Sequence, residues 1–289
     1  APRRADCPSC GPHAEQVPWA EGKSPLTKSY AWFLARWAKR LPWNKVAGIF
    51  GCGWHQVCEA VRQAVDWGLE HRDLSGVTAI GVDEIYFGVK SKYQTLVYQL
   101  CSAKPRLLFI AEGHKEGALS GILKEQGEAW CANIEHVCSD MWRAYLKPVA
   151  QLLPNVMHIL DRFHIEAKLN EAVDKVRRAE SAELAGKGFV ILKNLRYAFL
   201  KRPDNLTDKQ REGLQKIVNK RSLKTVRAYH WKESFRLFWE YEQPHAASKY
   251  LRRWCRGANK SRLKPVKAFV KTLRKHEDLI LNWFRAKKR

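Results

Sequence analysis

The chain has 289 residues, of which 45% are hydrophobic and 11% aromatic, including twelve Trp. This apolar content can form folded cores and excludes a disordered chain, and the length suggests about two domains. The 52 Lys and Arg against 29 Asp and Glu give a formal charge of +23, which points to a polyanionic partner. No apolar run approaches the roughly 18–20 residues of a membrane span, and residues 1–20 lack the apolar core of a signal peptide. The composition therefore predicts a cytoplasmic protein without a membrane segment.

The positive charge is concentrated in the last third of the chain. Residues 1–185 contain 23 Lys and Arg and 21 Asp and Glu, whereas residues 186–289 contain 29 and 8. Because basic side chains that neutralise phosphates release condensed counterions, this segment predicts binding to double-stranded DNA. A solvated basic face without a ligand is the alternative. The candidate DNA contacts in this segment are Arg252, Arg253 and Arg256.

Eight Cys are present, but they do not form the pattern of a secreted disulfide scaffold. Cys7-Pro-Ser-Cys10 has the spacing of half a zinc knuckle, in which two thiolates lie on one tight turn. A tetrahedral site needs two more ligands, and no second Cys-x-x-Cys follows. Residues 1–22 are therefore interpreted as a partial zinc-binding segment, with Cys7 and Cys10 as candidate Zn²⁺ ligands.

Residues 23–75 are predicted to be helical. Apolar residues at helical spacing indicate helices over residues 27–39, 42–50 and 54–71, and Gly51-Cys52-Gly53 forms the turn before the last one. Two helices joined by a short Gly-containing turn are typical of a helix-turn-helix, in which the later helix enters the major groove. Gln56 and Arg62 are the candidate DNA contacts on that helix. A helical bundle without a DNA role is the alternative.

From residue 76 the pattern is that of an α/β domain. Three β-rich runs over residues 77–87, 93–101 and 106–111 indicate a meander, with the first run interrupted by Asp83-Glu84. Helices and strands then alternate: the predicted helices cover residues 115–127 and 143–153, the strands cover 134–138 and 156–160, and a long helix continues to about residue 185. The predicted α/β domain is residues 76–187, and a basic, all-helical region follows over residues 188–289.

Three aspartates occupy positions typical of ligand-binding residues. Asp83 interrupts a strand of β-branched residues, where it is expected to be buried, and Asp140 and Asp161 each follow a predicted strand. Ligands of open α/β sheets bind at the carboxyl ends of strands, and carboxylates are the ligands that Mg²⁺ prefers. Helix capping is the alternative for Asp140 and Asp161. Together with a basic surface, these acids favour metal-dependent cleavage or transfer of nucleic-acid strands.

Six short segments together resemble the DDE transposases of bacterial insertion sequences, specifically the ISL-three type. In chain order they are Gly81-Val-Asp83-Glu84, Cys138-Ser-Asp140-Met-Trp142, Leu160-Asp161-Arg162-Phe163-His164, Leu169-Asn170-Glu171-Ala172-Val173, Pro203-Asp-Asn205-Leu-Thr207 and Glu233-Ser-Phe235-Arg. The resemblance covers nearly the whole chain. It implies an RNase H-like mixed-sheet core, preceded by the helix-turn-helix segment and followed by the basic helical region as an insertion.

The resemblance also implies a catalytic site in which two Asp and one Glu bind two Mg²⁺ or Mn²⁺. Asp83 would be the first catalytic Asp and Asp140 the second, and both would bind metal. Asp161 and His164 match an auxiliary motif, so His164 would position substrate or ligands. A His164 satisfied within the protein core is the alternative.

The sequence departs from the family pattern in two places. The third acid, a Glu followed by Gly-Leu-Asn or similar, would lie after the segment beginning at His276, and no such motif occurs before Arg289. The upstream Cys pair of the family's zinc module has no counterpart before Cys7. These departures predict a truncated transposase that performs little strand transfer but still binds DNA.

The predicted function is transposition: cleavage of DNA at element ends and transfer of the 3′ end to target DNA, by a homodimer associated with the nucleoid. A non-catalytic, DNA-binding remnant of a transposase is the chief alternative, and a nuclease of the same fold is a weaker one.

Overall fold

The computed structural model describes residues 4–14, 18–19, 25–86, 88, 93–100 and 105–286. Two compact units divide the chain, Ala1–Gly76 and Val77–Arg289, and each is described by itself. Among the described residues, no helix is both long enough and apolar enough to cross a membrane.

The first unit contains a hairpin and three helices. Strands β1 (Arg4–Cys7) and β2 (Gly11–Ala14) pair antiparallel; Cys7 ends β1, and Cys10 lies in the turn between the two strands. Helices α1 (Lys28–Ala38), α2 (Trp43–Ile49) and α3 (Trp54–Glu70) follow. Their shared core contains Leu34, Val46 and Val57, all fully buried.

Local signals set the bounds of these helices. Thr27 caps α1 by accepting a hydrogen bond from the Tyr30 backbone, and Gln56 caps α3 by accepting one from the Gly53 amide at 2.8 Å. Gly51 has φ of 61°, a conformation that favours glycine and lets the chain turn between α2 and α3. The three predicted helices are therefore confirmed within one or two residues at each end.

The second unit begins with a mixed sheet and the helices between its strands. Its elements in chain order are β3 (Ala79–Tyr86), β4 (Tyr93–Gln99), β5 (Arg106–Glu112), α4 (Glu116–Ala132), β6 (His136–Ser139), α5 (Arg143–Leu152) and β7 (Met157–Leu160). The strand order is β5-β4-β3-β6-β7. Strands β3, β4 and β5 pair antiparallel, whereas β6 and β7 run parallel to β3. This mixed sheet is consistent with an RNase H-like domain.

Two predicted element bounds need correction. Asp83 and Glu84 do not interrupt the first strand, because both remain paired with β4, opposite Leu96 and Thr95. The helix predicted to end at residue 127 continues to Ala132 after a kink at Gly127, whose φ is 79°. The second part of that helix brings Trp130 against Phe109, with ring centroids 5.7 Å apart. Phe87 and Cys101, the predicted ends of two strands, lie outside the described residues.

Helices account for the rest of the second unit. They are α6 (Arg162–Ala185), α7 (Arg196–Leu200), α8 (Asp208–Gln215), α9 (Lys224–Arg236), α10 (Pro244–Asn259), α11 (Lys264–Lys275) and α12 (Glu277–Ala286). Leu160 of β7 and Leu169 of α6 belong to the same apolar core as Phe235 and Phe284 of the later helices. In addition, Asn282 of α12 donates a hydrogen bond of 2.7 Å to the His158 carbonyl of β7. The helical region therefore packs directly on the edge of the sheet.

Buried charges tie these helices together. Glu180 of α6 accepts hydrogen bonds from the backbone amides of Lys224 and Thr225, at 2.7 and 2.6 Å, and so caps the start of α9. Lys232 of α9 is buried and donates to the carbonyls that end α7, including that of Phe199 at 2.7 Å. Each charge thus satisfies backbone groups at a helix terminus, where they lack intrahelical partners.

His158 makes the stability of this unit depend on pH. It lies buried on β7 with its Nε2 2.8 Å from Ser139 Oγ, and burial lowers its pKa from 6.5 to about 4. In the unfolded chain His158 is protonated below about pH 6.5, whereas in the folded chain it stays neutral down to about pH 4. The free energy of unfolding therefore falls as the pH falls through this interval. Between pH 7 and pH 4.5, the unfolding free energy of the wild type should therefore fall by about 2 kcal/mol more than that of the variant His158→Gln, which has no group that titrates at this position. Urea unfolding at the two pH values measures this, and an unchanged pH dependence would contradict the assignment.

Candidate active site at the carboxyl edge of the sheet

The parallel strands bring the three predicted aspartates to one edge of the sheet. Gly81 of β3 pairs with Cys138 of β6, and Ser139 of β6 pairs with Leu160 of β7. Asp83 and Asp140 each lie two residues beyond the last β3–β6 pair, and Asp161 lies one residue beyond the last β6–β7 pair. The Asp161 amide extends the ladder by donating to the Ser139 carbonyl at 2.8 Å. Asp140 and Asp161 thus follow the carboxyl ends of β6 and β7, and Asp83 lies within β3 just past its pairing with β6.

Asp83 is exposed, with 55% of its side-chain surface accessible, so the expectation of a buried carboxylate was wrong. The buried part of β3 ends at Val82, and the strand continues beyond it along β4 only. Asp83 Oδ1 accepts a hydrogen bond of 2.8 Å from the Glu84 amide. Because successive side chains of a strand alternate between faces, Asp83 shares its face with Gly81, and Glu84 points to the other.

Asp140 is half-buried and lies at the end of β6. Burial raises its pKa, and the negative charge of Asp83 raises it further, whereas the Trp142 amide, His164 and Lys168 oppose the shift. Its Oδ1 accepts a hydrogen bond of 2.8 Å from the Trp142 amide, in the turn that leads into α5. The charges of Asp83 and His164 are thus near enough to Asp140 to affect its pKa.

Asp161 caps α6 by accepting a hydrogen bond of 2.8 Å from the Phe163 amide, so the capping interpretation is confirmed for this residue. One turn into α6, His164 Nε2 lies 3.8 Å from Asp161 Oδ2 and 3.9 Å from Asp83 Oδ1. A third of the His164 side chain is exposed. It is therefore not a histidine of the protein core, and its Nε2 lies near two of the three acids without a hydrogen bond to either.

The sequence interpretation missed several residues at this edge. Lys168, one turn after His164 on α6, faces Asp140 closely enough to oppose the rise of its pKa. On the other face, the Tyr145 hydroxyl donates to Glu84 Oε2 at 3.0 Å. The spacing of His164 and Lys168, four residues apart on a predicted helix, was a signal for the first of these.

Aromatic rings line the same edge. The centroids of Tyr86 and Tyr93 are 5.0 Å apart, those of Tyr93 and His114 are 4.3 Å apart, and those of His114 and Trp142 are 5.1 Å apart. Tyr86 and Trp142 are 54% and 42% exposed. The rings come from β3, β4, the end of β5 and the turn after β6, so no local sequence pattern relates them.

The chemistry of the strand-end acids is compatible with a divalent cation. Among the described residues, no group of three or more His, Cys, Asp or Glu is arranged to hold a metal ion by itself. Mg²⁺, however, is commonly held by one or two carboxylates, with water and substrate phosphate completing its shell. Asp83 and Asp140 offer two such carboxylates, and the negative charge of Asp83 contributes to the raised pKa of Asp140.

The hairpin of the first unit adds a third candidate ligand to the two cysteines. Hydrogen bonds from Ser9 and Cys10 lower the pKa of Cys7 to about 6, which favours its thiolate. His13 Nε2 lies 3.0 Å from Cys10 Sγ. Zn²⁺ binding by Cys7 and Cys10 nevertheless stays a prediction, because the described residues provide no group arranged to hold a metal.

Several predicted DNA contacts already have partners within the protein. Gln56 caps α3, Arg62 pairs with Glu59 at 3.0 Å, and Arg252 pairs with Glu277 at 2.7 Å. Arg253 and Arg256 are exposed on α10. All five stay predicted DNA contacts, and only the last two are exposed without an ion pair among the described residues.

The sheet order and its aspartates define an α/β domain consistent with the RNase H-like class. A family model described as a transposase, of the ISL-three (ISL3) type, matches residues 80–288. The chain therefore belongs to the ISL3-type family of DDE transposases, a family that generally uses divalent metal ions.

Two curated relatives are transposases by name. The chain is 26% identical over 307 residues to the transposase for insertion sequence element IS1557 of Mycobacterium tuberculosis. This alignment covers 94% of this chain and 66% of that protein. It is 24% identical over 277 residues to the transposase for insertion sequence element IS1001 of Bordetella parapertussis, covering 94% and 67%. The chain thus spans about two thirds of the length of these relatives.

Proposed function

We propose that this chain acts in DNA transposition, cleaving DNA at the ends of an insertion sequence and transferring the 3′ ends to target DNA. The observation that carries the proposal is that Asp83, Asp140 and Asp161 lie just past the paired residues of β3, β6 and β7, with His164 3.9 Å from Asp83 and 3.8 Å from Asp161. Family membership supports the same chemistry, because the matched region contains all four residues.

Both proposed reactions are in-line displacements at phosphorus. In cleavage, a water oxygen forms a bond to the phosphorus, the bond to the leaving oxygen breaks, and a 3′-hydroxyl is released. In transfer, that 3′-hydroxyl oxygen attacks a target phosphodiester in the same way. Such reactions depend on positioning and on neutralisation of charge rather than on a covalent enzyme intermediate.

The residues of the site have distinct roles in this proposal. Asp83 and Asp140 would hold a divalent cation, Mg²⁺ or Mn²⁺, which when bound neutralises phosphate charge and makes the attacking oxygen more acidic. Asp161 orients the His164 ring from the start of α6, and His164 in turn positions the substrate or Asp83. Lys168 places a positive charge beside Asp140, where a phosphate oxygen would approach. The exposed ring of Trp142 offers a surface on which an unpaired base near the cut can stack.

The remaining parts of the chain would bind DNA. We assign the helix-turn-helix role to α1–α3, with α3 in the major groove and Arg62 among its contacts. The helical region over residues 188–289 is the proposed insertion, and its basic surface, including Arg253 and Arg256, would contact the backbone. A homodimer would hold two DNA ends together.

A DNA-binding remnant without catalysis is the competing function, because two of the three acids in register also make local backbone hydrogen bonds that cap or turn the chain. Incubation of the chain with supercoiled plasmid in Mg²⁺ or Mn²⁺ separates the two. The transposase predicts metal-dependent nicking that EDTA abolishes. DNA binding without nicking, in both metals, would favour the remnant.

A further inference from the structure

A basic cavity lies on the helical region, lined by residues of α9 and of the turns around it. Its volume is about 540 Å³, and its walls include Arg221, Arg227, His230, Trp231, Lys260 and Arg262. Arg221 precedes α9, whereas Lys260 and Arg262 lie between α10 and α11. The sequence singled out none of these residues.

The cavity has no acidic residue in its lining. None of its four Lys and Arg side chains forms an ion pair among the described residues. Basic residues elsewhere on the same helices are paired, as Lys224 is with Glu183, Arg236 with Glu233 and Arg252 with Glu277. Four like charges around one cavity repel one another, and an anion between them removes that repulsion.

Two features of the backbone and side chains indicate a built site. The Nε of Arg227 is buried without a hydrogen-bond partner, which is costly for a charged donor and is offset when an anion lies beside the same guanidinium group. Arg262 has φ of 60°, in the left-handed region that few non-glycine residues adopt and that is enriched at binding sites.

Trp231 forms an apolar wall of the cavity, and Gly257 allows it to do so. A Cβ atom on Gly257 would lie 2.7 Å from Trp231 Cη2, so only glycine lets this ring lie directly against α10. His230 is fixed by a contact of 3.0 Å between its Nε2 and the Val218 carbonyl.

We propose that this cavity binds a phosphate group of the DNA backbone. The planar guanidinium groups of Arg match phosphate oxygens with paired hydrogen bonds, and several cations with no internal counter-charge are suited to a dianionic or diester phosphate. The proposal rests on the proposed function in taking DNA as the ligand. It places a DNA contact on the face of α9, apart from Arg252, Arg253 and Arg256 on α10.

The test compares two double variants of equal charge. Arg221→Gln with Arg262→Gln removes two exposed cavity charges, and Lys267→Gln with Lys271→Gln removes two exposed charges from α11 as the matched control. For a duplex of random sequence, the cavity variant should lose about tenfold in affinity and reduce the slope of log K against log salt by about 2. The control should lose clearly less. An equal loss in the two variants, or none in the cavity variant, would overturn the proposal.

Arg227→Gln provides an independent check, with circular dichroism used to confirm that the variant folds. It should weaken DNA binding without changing the DNA sequence preference. Inorganic phosphate alone is the second probe. Suppose that phosphate protects the wild type but not the cavity variant against thermal unfolding, while both proteins bind DNA with equal affinity. The cavity would then bind a free anion, and the assignment to DNA would be wrong.

These outcomes are separable from those of the proposed function. If the cavity variant loses DNA affinity and the wild type does not nick DNA, the proposal of a phosphate site is supported and the proposal of transposase activity is contradicted. If the wild type nicks DNA and the cavity variant binds DNA with wild-type affinity, only the proposal of a phosphate site is contradicted.

Discussion

Asp83→Asn and Asp140→Asn should each reduce metal-dependent nicking of DNA about 100-fold or more. Each change removes a negative charge from the pair of carboxylates that fit a divalent cation, and a loss of about 3 kcal/mol in transition-state stabilisation corresponds to that factor. Binding of duplex DNA should be retained, because neither residue carries the positive charge that attracts the phosphate backbone.

A control of the same chemistry is Asp204→Asn, which changes an exposed Asp outside the site and should leave nicking unchanged. Mn²⁺ binding measured by the relaxation of water protons gives a readout that does not depend on activity. Both site variants should weaken Mn²⁺ binding about tenfold or more, since each loses one of two carboxylate ligands. Unchanged Mn²⁺ affinity in either variant would exclude that residue as a ligand.

Phe235→Ala should lower the free energy of unfolding by about 3–5 kcal/mol, the range found for aromatic residues truncated in a packed core. Phe235 is 1% exposed, and its ring centroid lies 4.9 Å from that of Trp254 and 5.6 Å from that of Phe269. Removal of this ring would leave a cavity that the Trp254 and Phe269 rings, held on two different helices, cannot close. Urea unfolding followed by circular dichroism measures the change.

The neighbouring residue supplies the comparison for this prediction. Leu237 is 49% exposed, so Leu237→Ala should change stability by no more than about 0.5 kcal/mol. Phe235 belongs to one of the segments that resemble the transposase family, and a large loss of stability would assign that segment a structural role. A small loss accompanied by weaker DNA binding would instead assign it a functional one.

The sequence predicted most of the local structure correctly because strong local signals mark it. Thr27, Asp161 and Thr207 each cap the helix that follows them. The misplaced boundaries arose where a non-local interaction decided the outcome. Pairing with β4 keeps Asp83 and Glu84 in a strand, and burial of Trp130 against Phe109 accompanies the extension of α4 past Gly127.

The candidate acids could be found from the sequence because each lies within or directly after an apolar, β-rich run, but the sequence could not show that the three acids lie near one another. Apolar runs and the charge distribution, which depend on composition and spacing alone, determined the α/β pattern, the helical last third and its basic character. Only tertiary structure decided that β6 and β7 lie parallel to β3, so that Asp140 and Asp161 reach the edge of the sheet where β3 carries Asp83. It also decided that Asp83 is exposed, and that the basic residues between α10 and α11 meet those of α9 around one cavity. The physical reason is that strand register and helix packing are set by contacts between residues far apart in the chain, which no local pattern specifies.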